Sequence, residues 1–363
     1  MKDNDFENEI FEDFDNSSAS KSGNRLILVT TIVLGVLLVG MIVFSIGYFY
    51  VNMKNTKNML GTSENKTYDR YYVLITSSRE TDFWKNVYEG ALSEALKSNA
   101  YIELMGEGLE DNLTKRDLIK IATSSKVDGI IVEGDDDNKT LSILRDAMSE
   151  GIPVVTVASD VPEGERISYI GISGYNLGKE YGEQLVSLVQ SKEMDKCNIL
   201  VLMDDSITGS SQSVILTAIK ETLDSSDLNA KIGIDSKVVS TGKGYAAEEE
   251  IRDIFVSENE TPDIIVCLSE KNTICVYQTV VDYNKVGEVE ILGFYMSPTI
   301  KSAIQKNIIK SSMVVDSEQM GQKSVEALNE YLESGYVSEF YMIDSKQADA
   351  ENLDSFETEG GEE

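Results

Sequence analysis

Carboxylates recur at one kind of place in this sequence, directly after a short apolar run. Glu133 and Asp135 follow GIIV, Asp160 follows PVVTV, Asp204 follows NILVLM and Glu270 follows DIIVCL. Hydroxyl residues share these places: Ser77 after YYVLIT, Ser159 just before Asp160, and Ser269 just before Glu270. Aromatics complete the set, with Tyr295 after ILGF, and Phe83 and Trp84 shortly after Arg79 and Glu80. Carboxylates and ring faces together suit a cationic or amine-bearing ligand, with cation–π attraction adding to the ion pair. Arg79, the one basic residue of the set, could bond a hydroxyl or a carboxylate, or simply pair with Glu80. The plainer alternative is that 63 of 363 residues are acidic, so loops carry carboxylates anywhere.

Other chemistries are poorly served. The chain has no histidine, which removes Ser-His-Asp and Cys-His catalysis and the commonest zinc ligand. Paired carboxylates can hydrolyse glycosides, but no spacing here fixes such a pair, and an enzyme is not expected. Cys197, Cys267 and Cys275 lack CxxC spacing and read as small buried hydrophobes. GDDDNKT lacks the glycine and the terminal Glu of a calcium loop, and STGKG lacks the upstream glycine of a phosphate loop. No cofactor or metal is expected. The formal charge of −31 opposes nucleic-acid binding, which needs a positive surface.

The apolar runs that precede these residues alternate with amphipathic stretches. YYVLIT, YIELMG, GIIVEG and PVVTVA alternate with helical spacing over 82–98, 113–125 and 138–150. A second series starts with SYIGI. It continues through helical 174–191, NILVLM, helix 210–224, KIGIDSKVV, helix 245–257, DIIVCLS, helix 271–284 and EILGFY. Continuous apolar strands alternating with helices mean parallel sheets covered on both faces. Two such series predict an α/β fold of two doubly wound, Rossmann-like lobes. Ligands of such sheets sit at the carboxyl ends of the strands, where the polar residues above are found.

Three segments lie outside the alternation. Residues 1–25 are acidic, rich in Asn and Ser, and read as a disordered tail. Residues 26–51 carry no charge, and Tyr48, Phe49 and Tyr50 suit an interfacial belt. At about 1.5 Å per residue this run exceeds the roughly 30 Å hydrocarbon core, and it is too long for a cleaved signal core. It reads as one transmembrane helix, an uncleaved signal anchor. Lys21 and Arg25 on one side balance Lys54 and Lys57 on the other, so flanking charge does not orient it. Residues 52–68 read as a linker and 345–363 as a second acidic disordered tail.

VDGIIVEG, GIPVVTVASDVPEGERISYIGISGYNLGKEYGEQL, PDIIVCLSEKNTICVYQTV and VEILGFYMSPTIKSAIQKNIIKSSMVVDSEQMGQKSVEAL occur in the order of the type I periplasmic binding proteins. Roughly residues 70–344 resemble that family, its ribose-binding-like sugar receptors above all. The resemblance implies an N-terminal lobe of 69–172 plus 316–344 and a C-terminal lobe of 173–315. Three crossovers, near Ile172–Ser173, Val315–Asp316 and Ile343–Asp344, would join them as a hinge. A ligand would lie in the cleft between the lobes, touched by Ser77, Arg79, Glu80, Phe83, Trp84, Glu133, Asp135, Ser159, Asp160, Asp204, Ser269 and Tyr295. The resemblance also orients the anchor: N-terminus in the cytoplasm, binding domain outside the cell membrane. It implies a small polar ligand, a sugar or an amine-bearing solute, delivered to an ABC permease or reported to a sensor kinase.

Several positions depart from the family. The family has Asp, often with an adjoining Arg, after the strand PVVTV, where this chain has Ala158 and Ser159 before Asp160. An Arg of the second lobe is Leu216, an Asn or Asp is Ser269, and the Asp of GFD is Tyr295. Hydroxyls buried without partners are costly, which argues against a standard pentose or hexose mode. The departures favour an alternative, a degenerate-cleft scaffold or regulatory module that binds a protein instead of a small molecule.

Overall fold

A computed structural model describes residues 67–106, 113–161, 165–205, 207, 209–240, 246–256 and 261–356. The expected tail, anchor and most of the linker (residues 1–66) lie outside the described residues. Among the described residues, no helix is long and apolar enough to cross a membrane.

The alternating pattern folds into two six-stranded sheets. The first contains β1 (Arg70–Ile75), β2 (Ala100–Leu104), β3 (Gly129–Glu133), β4 (Val154–Val157), β5 (Ser168–Gly171) and β11 (Phe340–Met342), in the order β11-β5-β4-β3-β1-β2. The second contains β6 (Lys196–Asp204), β7 (Lys231–Val239), β8 (Ile264–Cys267), β9 (Glu290–Phe294), β10 (Ser311–Val315) and β12 (Ser345–Asp349), in the order β12-β10-β9-β8-β6-β7. All pairings are parallel except that of β12 with β10.

Central strands such as β3, β4 and β8 are buried on both faces, which is why they carry continuous apolar runs. Tyr72 and Leu74 pack on one face of β1, Val73 and Ile75 on the other. In the second sheet Leu202, Ile265 and Cys267 face one core, and Val201, Ile264 and Val266 the opposite one. The three cysteines are buried and unbridged.

The helices are α1 (Asp82–Lys97), α2 (Lys115–Ser124), α3 (Asn138–Ser149), α4 (Gly174–Ser191), α5 (Gly209–Asp224), α6 (Ala246–Val256), α7 (Glu270–Asp282), α8 (Pro298–Gln305) and α9 (Ser317–Ser334). Polar residues at the strand ends start many of them. The side chains of Thr81, Asp137, Ser173 and Ser269 each accept a backbone N–H in the first turn of α1, α3, α4 and α7, satisfying amides that a helix start leaves open. Part of the polarity at the strand ends is therefore local capping. Helices α1 and α9 approach so closely that a Cβ on Gly90 would lie 2.0 Å from the Glu318 carbonyl oxygen, and one on Gly321 1.9 Å from that of Val87.

The chain passes between the sheets three times, after β5, after β10 and after β11. Two expectations need correction. SYIGI does not open the second series, because Ser168–Gly171 pairs in parallel with β4 in the first sheet. The segment from 345 is not a free tail: Ser345–Asp349 pairs antiparallel with β10 and is followed by a 3-10 turn, Leu353–Phe356. Ala348 and Leu353 are its buried anchors. Backbone pairing holds this segment where side-chain hydrophobicity is sparse.

Candidate functional site

The carboxyl ends of both sheets meet at a cavity of about 380 Å³. The first lobe contributes Ser78, Thr81, Phe83, Trp84, Glu133, Ser159 and Asp160; the second contributes Asp204, Gln212, Ser269, Glu270 and Lys271. Ile172, Tyr175, Leu177, Val214, Ile215, Leu268, Phe294, Met320, Phe340 and Met342 form apolar walls. Of the expected site residues, the fold thus brings together Phe83, Trp84, Glu133, Ser159, Asp160, Asp204 and Ser269.

Each carboxylate has a specific setting. Glu133, at the end of β3, accepts from the Thr76 hydroxyl at 3.1 Å and the Ser77 amide at 3.0 Å, with the Lys115 ammonium 3.8 Å away. Burial raises its pKa above the ordinary value, Lys115 opposing and the nearby Asp204 charge adding to the rise. Asp160 grips Arg166 with both oxygens, one of them 2.8 Å from Nη2, and also accepts from the Thr156 hydroxyl at 2.9 Å. The Arg166 guanidinium lies 4.9 Å over the Phe340 ring and donates to the Glu339 carbonyl at 3.2 Å. Asp204 is held through its backbone, whose amide and carbonyl bond the Gln212 side chain at 2.7 and 2.8 Å.

Glu270 bridges the lobes. From the first turn of α7 it accepts the Phe83 amide at 3.0 Å, at the N-terminus of α1. Burial pushes its carboxyl up to about 7, and neighbouring Asp82 adds to the rise while the α1 amides and Lys85 oppose it. The Phe83 ring meets Trp84 edge-on at 5.2 Å and Tyr295 at 5.3 Å. Phe83 and Trp84 therefore belong to the first lobe's core and line the cavity as well.

Five expected residues lie elsewhere. Ser77 and Asp135 line a separate polar cavity of about 420 Å³ with Thr114, Lys115, Arg116 and Asp205. Beyond the end of β1 the chain bends, leaving Ser77 exposed and Ser78 buried, and Lys115 draws Asp135 to 3.4 Å. Arg79 is not among the cavity residues: its guanidinium covers Gly106, where a Cβ would meet Nη1 at 2.7 Å. Glu80 is exposed on the surface. Tyr295, at φ 75°, lies beside the crossover from β10 to α9, where its hydroxyl accepts from Asn86 at 2.6 Å and bonds Ser317 at 3.0 Å.

Reading the sequence also missed contributors. On α5 the cavity is faced by Ser211, Gln212, Val214 and Ile215, whereas Leu216 packs against the second lobe's core. Arg166 was not among the expected site residues. Its signal was its place just before β5, within reach of Asp160 once the chain turns back into the sheet. Among the described residues, no group of three or more carboxylates and thiols is arranged to hold a metal ion.

The geometry now has a context. A family profile described as a periplasmic binding protein domain matches residues 72–335, and the chain belongs to that family. Solved structures share its two-lobed fold. GanP, a glucose-galactose binding protein from Geobacillus stearothermophilus, is 21% identical with a TM-score of 0.68, covering 79% of this chain and 99% of its own. XylFII in a XylFII–LytSN complex is 22% identical with a TM-score of 0.65, covering 78% and 99%. An ABC transporter solute binding protein from Agrobacterium vitis with bound D-fucose is 19% identical with a TM-score of 0.68, covering 79% and 97%. The sequence has no match among curated proteins.

Proposed function

We propose that the protein is a membrane-tethered receptor that captures a small polar ligand, a sugar or an amine-bearing solute, between its lobes outside the cell membrane. The observation that carries this reading is the interlobe cavity, which takes carboxylates and hydroxyls from the strand ends of both sheets. A ligand there touches both lobes at once and favours the arrangement in which they meet. The uncharged run 26–51 supports the tether, and the family supports an extracytoplasmic domain. Tethering keeps a receptor at high effective concentration beside a membrane partner. A sensor kinase suits this better than an ABC permease, and the fold relative XylFII is itself seen in complex with LytSN.

A second reading is a scaffold whose cleft no longer takes a small molecule. It is favoured by the protein's own use of its polar groups, Asp160 by Arg166 and Glu270 by the start of α1. A topology reporter separates the location from the alternatives. Fused after Glu363, clear of the β12 pairing, it should be active outside the cell. Activity only in the cytoplasm would overturn the receptor's location.

A further inference from the structure

We propose that two copies of this chain pair through β7, edge to edge and antiparallel, about a two-fold axis at Ser236. The pairing goes beyond the receptor reading and does not depend on it. β7 closes one side of the second sheet, and among the described residues no strand pairs with its outer edge. It runs nine residues, against three to five for the other edge strands, β2, β11 and β12. A long free edge offers a row of open N–H and C=O groups to another strand. Val238 holds an apolar side chain in water there, 56% exposed.

The strand's own bonds define which groups face out. The Lys231 amide donates to the Asp195 carbonyl at 2.8 Å, and the Val239 carbonyl accepts from the Asp205 amide at 3.1 Å. Odd-numbered residues therefore turn their backbone groups inward to β6, and Ile232, Ile234, Ser236 and Val238 turn theirs outward. An antiparallel partner must set even residues opposite even residues. Centred on Ser236, this places Asp235 opposite Lys237 of the second copy and Ile234 opposite its Val238, and the two-fold axis repeats both contacts. Centring on Asp235 or on Lys237 instead sets that residue against its own copy, and centring on Ile234 sets Lys231 against Lys237. Like charges directly opposite are destabilising, so the charges select one register. The Lys237 ammonium is held in place by the Glu250 carbonyl of α6 at 2.8 Å, which leaves it further protons to donate. Ile232 and Ile234 pack against the second lobe's core, and Val238, on the same face of the strand, carries that apolar face across the axis. The two six-stranded sheets would then run as one. With two lysines and one aspartate, the edge lacks the acidic excess that a formal charge of −31 puts on the chain as a whole.

Ser236→Cys tests the register directly. Cys197, Cys267 and Cys275 are buried, so a short bis-maleimide added to the full-length protein in detergent reaches the new thiol. In the paired edges the two Ser236 positions lie about 5.5 Å apart at Cα, whereas the two Lys231 positions are about ten residues apart along the strands, ~34 Å. Pairing predicts a cross-linked dimer from Ser236→Cys and none from Lys231→Cys, and both positions are exposed, so neither change disturbs a packed side chain. Asp235→Lys sets like charges opposite each other twice, and in sedimentation velocity of the full-length protein it should raise the dimer dissociation constant at least tenfold. Cross-linking at Ser236→Cys that is absent, or no stronger than at Lys231→Cys, would overturn the proposal. So would a parent protein that stays monomeric up to its solubility limit, or a dimer that Asp235→Lys leaves unchanged. Each of these results leaves the receptor reading standing, since none of them reads the cleft.

Discussion

Glu270 of the second lobe accepts a hydrogen bond from the Phe83 amide of the first, 3.0 Å away. The contact joins a buried carboxylate to the positive end of a helix dipole, across the line between the two lobes. It also places an ionisable group at that line, in a chain with no histidine to titrate near neutrality.

The first prediction concerns pH. Burial lifts Glu270 from the ordinary 4.5 to about 7, so the folded contact holds its proton more tightly than the unfolded chain does. Stability from this group is then greatest below about 4.5, falls as pH rises towards 7, and is level above it. The full difference corresponds to ~3 kcal/mol. Glu133 and Glu180 are also shifted upwards and contribute to the parent slope. The difference between parent and Glu270→Gln isolates Glu270. In urea denaturation between pH 5 and 8, the parent should lose stability with rising pH more steeply than the variant.

The second prediction concerns Asp160 and Arg166. The Arg166 side chain is 3% exposed and that of Asp160 25%, so removing one partner strands the other in poor solvent. Asp160→Asn should cost about 3 kcal/mol, the lower end for a broken buried pair because Asp160 keeps some water. The double variant Asp160→Leu with Arg166→Met should cost less than the sum of its single changes. Strict additivity in a double-mutant cycle would show the pair to be uncoupled.

A third prediction tests the contact between α1 and α9. At Gly90 a methyl would collide with backbone, not with a movable side chain. Gly90→Ala should therefore destabilise by about 1–3 kcal/mol. Gly174→Ala, whose new Cβ meets nothing nearer than 3.5 Å, should stay near the parent. Denaturation midpoints of the two variants, compared side by side, check this.

The lobes were legible because strands buried on both faces write themselves as continuous apolar runs, as in GIIV and DIIVC. β12 was not legible, since SKQAD buries only Ala348 and is held by backbone pairing. Of the residues chosen by the strand-end rule, Glu133, Ser159, Asp160, Asp204 and Ser269 line the interlobe cavity. The rule could not say which way successive residues turn, so it took exposed Ser77 where Ser78 enters the cavity. It assigned Tyr295 to the ligand, but a left-handed backbone and the Asn86 and Ser317 contacts commit its hydroxyl to the crossover between the lobes. Glu270 was visible as an acid, yet its reach to another lobe's helix is a tertiary fact. So is the Arg166 partnership with Asp160.

A fourth prediction concerns the proposed anchor. Leu37→Lys with Leu38→Lys places two charges mid-run, at about 2.5–3.5 kcal/mol each for a helix centre. The protein should shift from the membrane to the soluble fraction in cell fractionation, while the domain from Tyr68 onward, a compact unit by itself, keeps its cooperative melt. Retention in the membrane fraction would remove residues 26–51 as the tether.

The central claim is that the cavity between the lobes holds a small molecule. The most direct test is a thermal-shift titration of the full-length protein against sugars, amino acids, nucleosides, polyamines and aromatic amines. A ligand that binds only the native state adds about 2.7 kcal/mol at a hundred times its Kd, a readable rise in Tm. The account predicts saturable stabilisation by at least one solute, weakened by Val214→Asn at the cavity wall. A cooperative melt that no solute moves would contradict it and leave the scaffold reading in its place.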